Sequence, residues 1–287
     1  MFEVSSVSVT YQTASGQAVH AVRGVDFSVA SGEFVTIIGP SGCGKSTVLH
    51  CMGGLLRPTA GTIRFGSAPV EQPDPERYAF VFQDYSLFPW KSVIDNAAIG
   101  LQFAGVPRKE RRRRSLEQLR LVGLDQNARS LPGELSGGMQ QRVAMARALT
   151  MNPSVLLMDE PFGALDEQSR RRLGMQMSAV LTEMRKSVVM VTHSLDEAIF
   201  WGDRVLVMGR SPGYIKEVID VGVPRPRSPK FMTAPEFDEM RARLFELLDV
   251  SGTDEAADDA AADAAPVGAD RPGADRPGAD RPALTDR

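Results

Sequence analysis

Two stretches of this 287-residue chain carry residues whose types and spacing are those of phosphate chemistry. The first is "GPSGCGKST", Gly39–Thr47, where glycines precede a lysine and a serine. Glycine frees the backbone to wrap an anion with consecutive N–H groups, and a helix opening at the lysine adds its N-terminal dipole. In this pattern Lys45 reaches the outer phosphates and the Ser46 hydroxyl ligates Mg2+. Gly39, Pro40, Ser41, Gly42, Cys43, Gly44, Lys45, Ser46 and Thr47 are therefore candidate ATP-binding residues. A plain glycine-rich turn would leave the Lys-Ser pair at the helix start unexplained. The second stretch, "VLLMDEP", brings Asp159 and Glu160 to the end of an apolar strand. Asp159 could hold Mg2+ directly or through water. Glu160, expected on the other side of the strand, is the candidate base for an attacking water. Alone, such a pair also reads as a solvated turn; beside the phosphate loop it reads as chemistry.

Three more residues could complete a γ-phosphate site. Gln83 closes the run "YAFVFQ" and carries an amide able to sense both Mg2+ and the water. His193, ending "VVMVTH", could donate to the γ-phosphate or simply cap its segment. Tyr11, ending the first strand, could stack on adenine or be a surface tyrosine. A second anion cradle follows at "GELSGGMQQRVAMARAL", with Ser136 as N-cap and the bare backbone of Gly137 and Gly138 behind it. One nucleotide site does not need two cradles.

The elements that must position these groups are legible as an alternation. "EFVTIIG", "SVLLMD" and "SVVMVTH" are continuous apolar runs, as expected of strands buried on both faces of a parallel sheet, and helical patterns follow each. The first sixty-odd residues alternate with turn signals ("VASGE", "PTAGT", "RFGSAP") and predict an antiparallel subdomain. Residues 92–130 read as mainly helical. Their Arg111–Arg114 run lacks interleaved aromatics and reads as a solvated helix face rather than a nucleic-acid or lipid contact. Composition, 43% hydrophobic and 24% charged, suits one globular body. From Ser251 onward nine acidic residues face four arginines, a net of −5 that leaves +2 for the rest. That tail repeats Gly-Ala-Asp-Arg-Pro three times and reads as disordered, because a proline in every five residues neither continues a helix nor builds a core. No run approaches the roughly 20 apolar residues of a membrane span, and "MFEVSSVSVTYQ" alternates like a strand rather than a signal peptide. A cytoplasmic protein is expected. Cys43 and Cys51 read as packing residues, not a redox pair.

Taken in order, the motifs resemble the nucleotide-binding subunit of an ATP-binding cassette (ABC) transporter over roughly residues 2–250. Tyr11, the 39–47 loop, Gln83, the signature Leu135-Ser136-Gly137-Gly138-Met139, the Asp159-Glu160 pair, Ala164-Leu165-Asp166 and His193 all fall in family order and spacing. The resemblance implies a P-loop NTPase core with an antiparallel β subdomain and an inserted α-helical subdomain near 86–135, followed by the acidic tail at 251–287. It implies ATP and Mg2+ as cofactors, with Ser46, Gln83 and Asp159 at the metal. It also implies a head-to-tail homodimer in which Ser136, Gly137, Gly138 and Asp166 of one chain complete the other chain's site. On that reading the second cradle serves the partner's nucleotide. Met139 stands where glutamine is frequent, which removes a returning capping bond worth about 1 kcal/mol at most.

The resemblance further implies integral membrane permease subunits as partners, a solute-binding protein acting through them, no nucleic acid, and a peripheral place on the cytoplasmic face of the membrane. "ARSLPGELSGG" lacks the acidic-glycine-glycine motif of many exporters. "DYSLFPWKSVIDNAAIGL" and "SPGYIKEVIDVGVPRPR" look like the nitrate, sulfonate and taurine importer ATPases. Phe88 and Trp90 are either core residues or part of the permease-facing surface. An exporter ATPase, or a soluble non-transport ABC ATPase, remains the alternative.

Overall fold

The chain begins with two long strands, β1 (Phe2–Gln12) and β2 (Ala18–Val29), and then enters the short buried strand β3 (Phe34–Ile38). The computed structural model describes residues 1–248 apart from 14, 164 and 211. After β3 come α1 (Lys45–Met52), the strands β4 (Ala60–Phe65), β5 (Ala68–Pro69) and β6 (Tyr78–Val81), and then four helices. These are α2 (Val93–Ala97), α3 (Ile99–Phe103), α4 (Arg108–Leu121) and α5 (Gly137–Thr150). A regular alternation follows: β7 (Val155–Asp159), α6 (Glu167–Glu183), β8 (Ser187–Val191), α7 (Leu195–Trp201), β9 (Arg204–Gly209). β10 (Tyr214–Asp220) and α8 (Pro235–Leu248) close the described chain. The reading of residues 251–287 as a disordered tail lies outside the described residues.

Two sheets organise these elements. β2, β1, β4 and β5 form an antiparallel sheet in that order. The other runs β10-β9-β3-β8-β7-β6, parallel throughout except for β10. In register, Ile37 of β3 faces Val191 of β8, Asp159 of β7 faces the same Val191, and Val81 of β6 faces Met158. The carboxyl ends of four neighbouring strands therefore lie side by side. At such an edge open α/β sheets bind their ligands.

The apolar runs are continuous because both faces of the parallel sheet are covered. Leu156, Met158, Val188, Met190, Val205 and Val207 pack into one cluster with the helices, whereas Val155, Leu157, Val189, Val191, Leu206 and Met208 pack into another with α1 and the antiparallel sheet. Period-2 alternation sends successive residues of each strand to opposite clusters. The antiparallel strands cover one face only and alternate accordingly.

On the helical side, Val93, Ile94, Leu119, Val122 and Leu124 seat α2 and α4 on the core that α5 shares. Within the Arg111–Arg114 run, Arg113 and Arg114 face water and pair along the helix, Arg113 with Glu110 and Glu117 and Arg114 with Glu110. That half of the run is the solvated face expected; Arg111 and Arg112 are half-buried and instead reach the Val106 carbonyl and Asp95 of α2. Phe237, Leu244 and Leu247 anchor α8 to the same cluster.

Candidate functional site: four strand ends at one phosphate loop

The turn after β3 opens directly into the loop, and Gly44 sits at φ +89° as the residue before α1. A side chain is strained in that left-handed conformation, and the glycine lets the loop curl into the helix start. Lys45 is buried, and its Nζ donates to the carbonyl oxygens of Gly39 and Pro40, both at 2.9 Å. These partners are carbonyls rather than carboxylates, so no acidic side chain among them competes with an incoming phosphate. At the next residue, Ser46 Oγ donates to Asp159 Oδ1 at 3.0 Å, which joins the start of α1 to the end of β7. Asp159 is only 5% exposed. Burial pushes its carboxyl pKa up, against the opposing pull of the Ser46 hydroxyl. A desolvated carboxylate beside a hydroxyl is a hard-oxygen pair short of positive charge, and it fits a Mg2+ that takes its remaining ligands from phosphate and water. No larger cluster of acidic, histidine and cysteine side chains suited to a metal occurs among the described residues.

Glu160 gathers the next group. Its Oε2 accepts from Gln83 Nε2 at 3.2 Å and lies 3.4 Å from His193 Nδ1. Gln83 and His193, just beyond β6 and β8, thus converge on the one carboxylate that follows β7. The reason for Glu160's direction differs from the expected one. β7 stops at Asp159, and Glu160 adopts φ +43°, so a left-handed turn aims the side chain rather than strand alternation. A non-glycine residue holds this conformation only where its surroundings fix it. Gln83 and His193 likewise stand two residues beyond their strands, which end at Val81 and Val191.

Tyr11, at the end of β1, brings its hydroxyl to 3.4 Å from Thr47 Oγ1, and its ring is half-exposed beside the loop. Ser136 caps α5, accepting from the Met139 N–H at 3.4 Å. Its glycines neighbour other groups: the Tyr85 hydroxyl lies against Gly137, and Leu165 lies against Gly138. Met139 packs on the core, and Gln140 Nε2 holds the preceding turn through the carbonyls of Pro132 and Leu135. Asp166 caps α6, accepting from the Ser169 N–H at 2.9 Å, and hydrogen bonding from the Ser169 hydroxyl and N–H holds its carboxyl below the usual range. The signature residues and Asp166 are thus placed by helix caps.

Two contributors escaped the sequence reading. Arg147, near the end of α5, donates to the carbonyls of Ser86 at 2.7 Å and Tyr85 at 2.9 Å, and so ties down the loop that carries Gln83. Behind His193, the Thr192 hydroxyl donates to buried Glu197, whose other oxygen is 3.7 Å from Arg170 Nε. Neither has a local sequence signal, since both sit inside ordinary helical patterns.

The sequence profile described as "ABC transporter" matches residues 22–163. The taurine import ATP-binding protein TauB of Rhizobium johnstonii is 46% identical over 86% of this chain and 96% of its own length. This chain belongs to the ABC transporter family. The nitrate import ATP-binding protein NrtD of Synechococcus elongatus is 41% identical to this ABC cassette over 84% of the chain and 89% of its own length. The dimeric structure of a post-hydrolysis state of the ATP-binding cassette MJ0796, bound to ADP and Pi, matches with a TM-score of 0.70 at 33% identity, covering 78% of this chain and all of that one. The P-loop α/β fold expected from the motifs is the fold of this family.

Proposed function

We propose that this ABC cassette is the ATP-hydrolysing subunit of an importer for a small anionic solute of the nitrate, sulfonate or taurine kind. The convergence of Gln83, Glu160 and His193 at 3.2 and 3.4 Å, next to the Ser46–Asp159 pair, carries the reading. Lys45 and the loop N–H groups bind the phosphates, and Tyr11 packs on the adenine. Ser46, Asp159 and Gln83 would hold a Mg2+, which would neutralise charge on the phosphate oxygens. Glu160 accepts the proton of the attacking water, Gln83 orients that water, and His193 donates to the γ-phosphate.

Two cassettes pair head to tail, and the Ser136–Gly138 helix end of each faces the nucleotide of the other. Asp166 lies at the same interface. The similarity to the taurine and nitrate import proteins and to a dimeric cassette supports this assembly on permease subunits. A solute-binding protein delivers the anion from outside. No helix among the described residues is long and apolar enough to cross a membrane, so docking on the cytoplasmic face falls to surface residues. Trp90 is 73% exposed and edge-on to Phe88, and this exposure supports its role in that contact.

Glu160→Gln tests the assignment. Phosphate release should fall by about 10²–10⁴-fold, the worth of a general base, while ATP binding persists. Turnover above a tenth of wild type removes Glu160 from the role.

A further inference from the structure

Gly213, in the stretch "SPGYIKEVIDVGVPRPR", carries no side chain for the chemistry above, yet its backbone lies against the phosphate loop. Its N–H donates to the Ala21 carbonyl at 2.9 Å, and its own carbonyl accepts from the Arg23 N–H at 2.8 Å. Val22 and Gly213 form an isolated parallel bridge. This stitch joins the start of β10 to β2, and thereby joins one sheet to the other.

The loop rests on the stitch. A Cβ built on Gly213 would fall inside the van der Waals envelope of the Cys43 carbonyl oxygen and 3.0 Å from its carbonyl carbon. A Cβ on Gly44 would meet Val22 Cγ2 at 2.6 Å and the Ala21 carbonyl oxygen at 2.9 Å. The Cys43–Gly44 backbone is therefore seated flush on Ala21, Val22 and Gly213. The φ of Gly213 lies outside the left-handed region, so what requires glycine here is the close approach and not the backbone conformation.

We infer that Gly213 is a positioning residue for nucleotide binding, one that lets this clasp preset the arc of loop N–H groups before a nucleotide arrives. The inference rests on the nucleotide-binding reading of the loop. Donors held in place need no reorganisation when the phosphates bind. β2 also pairs with β1, with Val19 opposite Tyr11, so the clasp fixes the spacing between the aromatic ring and the phosphate loop as well.

The test uses full-length Gly213→Ala and titration calorimetry with Mg·ATP. The added methyl displaces the Cys43 carbonyl by on the order of 1 Å, a misplacement that costs up to about 10²-fold. ATP affinity should drop 10- to 100-fold, whereas Gly133→Ala, into open space, should match wild type. Cys43 reports the displacement locally. Both thiols are buried, and burial pushes their pKa up, Cys51 to about 12. In a Cys51→Ser background, an aromatic disulfide should label Cys43 faster when Gly213→Ala is added. Cys51 in the otherwise unchanged Gly213→Ala chain should stay as slow as in wild type, which excludes general unfolding.

Unchanged affinity together with unchanged Cys43 labelling overturns the inference alone. A wild type that fails to bind Mg·ATP overturns the nucleotide reading and the inference with it. Should Gly213→Ala not fold, amide exchange of the nucleotide-free wild type decides. Protected Gly213 and Arg23 N–H groups support the preformed clasp, and free exchange at both, with the rest of β2 protected, overturns it.

Discussion

Arg147→Met separates the loop that carries Gln83 from the helix that carries the signature. The guanidinium makes two hydrogen bonds, to the carbonyls of Ser86 and Tyr85, and burial already pushes its pKa down. Methionine keeps the apolar stem and removes both bonds. A hydrogen bond from a charged donor is worth about 1.5–3 kcal/mol, but Ser86 is exposed and its carbonyl regains water. A total of about 2–3 kcal/mol is therefore expected, all of it spent on holding the loop. At 1.4 kcal/mol per decade this shifts the loop's occupancy of its present position by roughly 30- to 150-fold. Gln83 then leaves Glu160 more often, and kcat should fall, by tenfold or more if the loop spends most of its time displaced. ATP binding should change little, because the phosphate loop hangs from β3 and not from this segment. The assay is steady-state phosphate release alongside equilibrium nucleotide binding and thermal melting. A variant that melts earlier but keeps its kcat would show Arg147 to be packing only. One that loses ATP affinity in step with kcat would place its effect at the phosphate loop, and the reasoning would fail.

Two further outcomes follow from the same geometry. If each site joins Lys45 of one chain to Ser136 of the other, Lys45→Ala and Ser136→Arg should complement. Co-expressed with the membrane subunits and purified through two different tags, the mixed complex should hydrolyse ATP above either parent, and a complex as inactive as both parents counts against shared sites. Burial raises the Glu197 carboxyl pKa despite the Thr192 hydroxyl and Arg170, so the folded chain binds that proton more tightly than the unfolded one. Its contribution to stability is present at low pH and is lost as pH rises through the raised value. The melting temperature of Glu197→Gln relative to wild type should therefore climb from pH 4 to pH 8, and a constant difference would refute the assignment.

The legible part of the site was the part encoded over short distances. Lys45 and Ser46 open α1 because glycines precede them, and Ser136 caps α5 because a hydroxyl followed by bare backbone satisfies the first N–H groups. The apolar runs announced strands covered on both faces. Arg147 was not legible, since the carbonyls it serves lie some sixty residues away and their geometry depends on how α5 packs beside β6. Gly213 was not legible either, because a missing side chain carries no signal until the atom it makes room for is known.

By itself, then, the sequence determined the local conformations and the inventory of chemical groups, because caps, turns and strand periodicity act within a few residues of chain. Tertiary structure decided which groups meet. Strand order placed β8 between β3 and β7, so His193 and Glu160 came together beside Ser46 although more than a hundred residues of sequence separate Ser46 from either. A left-handed turn at Glu160, and not the alternation of its strand, aimed the carboxylate. The contact of Gly213 with Cys43 exists only because two sheets close on one loop, and burial of apolar residues from distant segments, not any local preference, drives that closure.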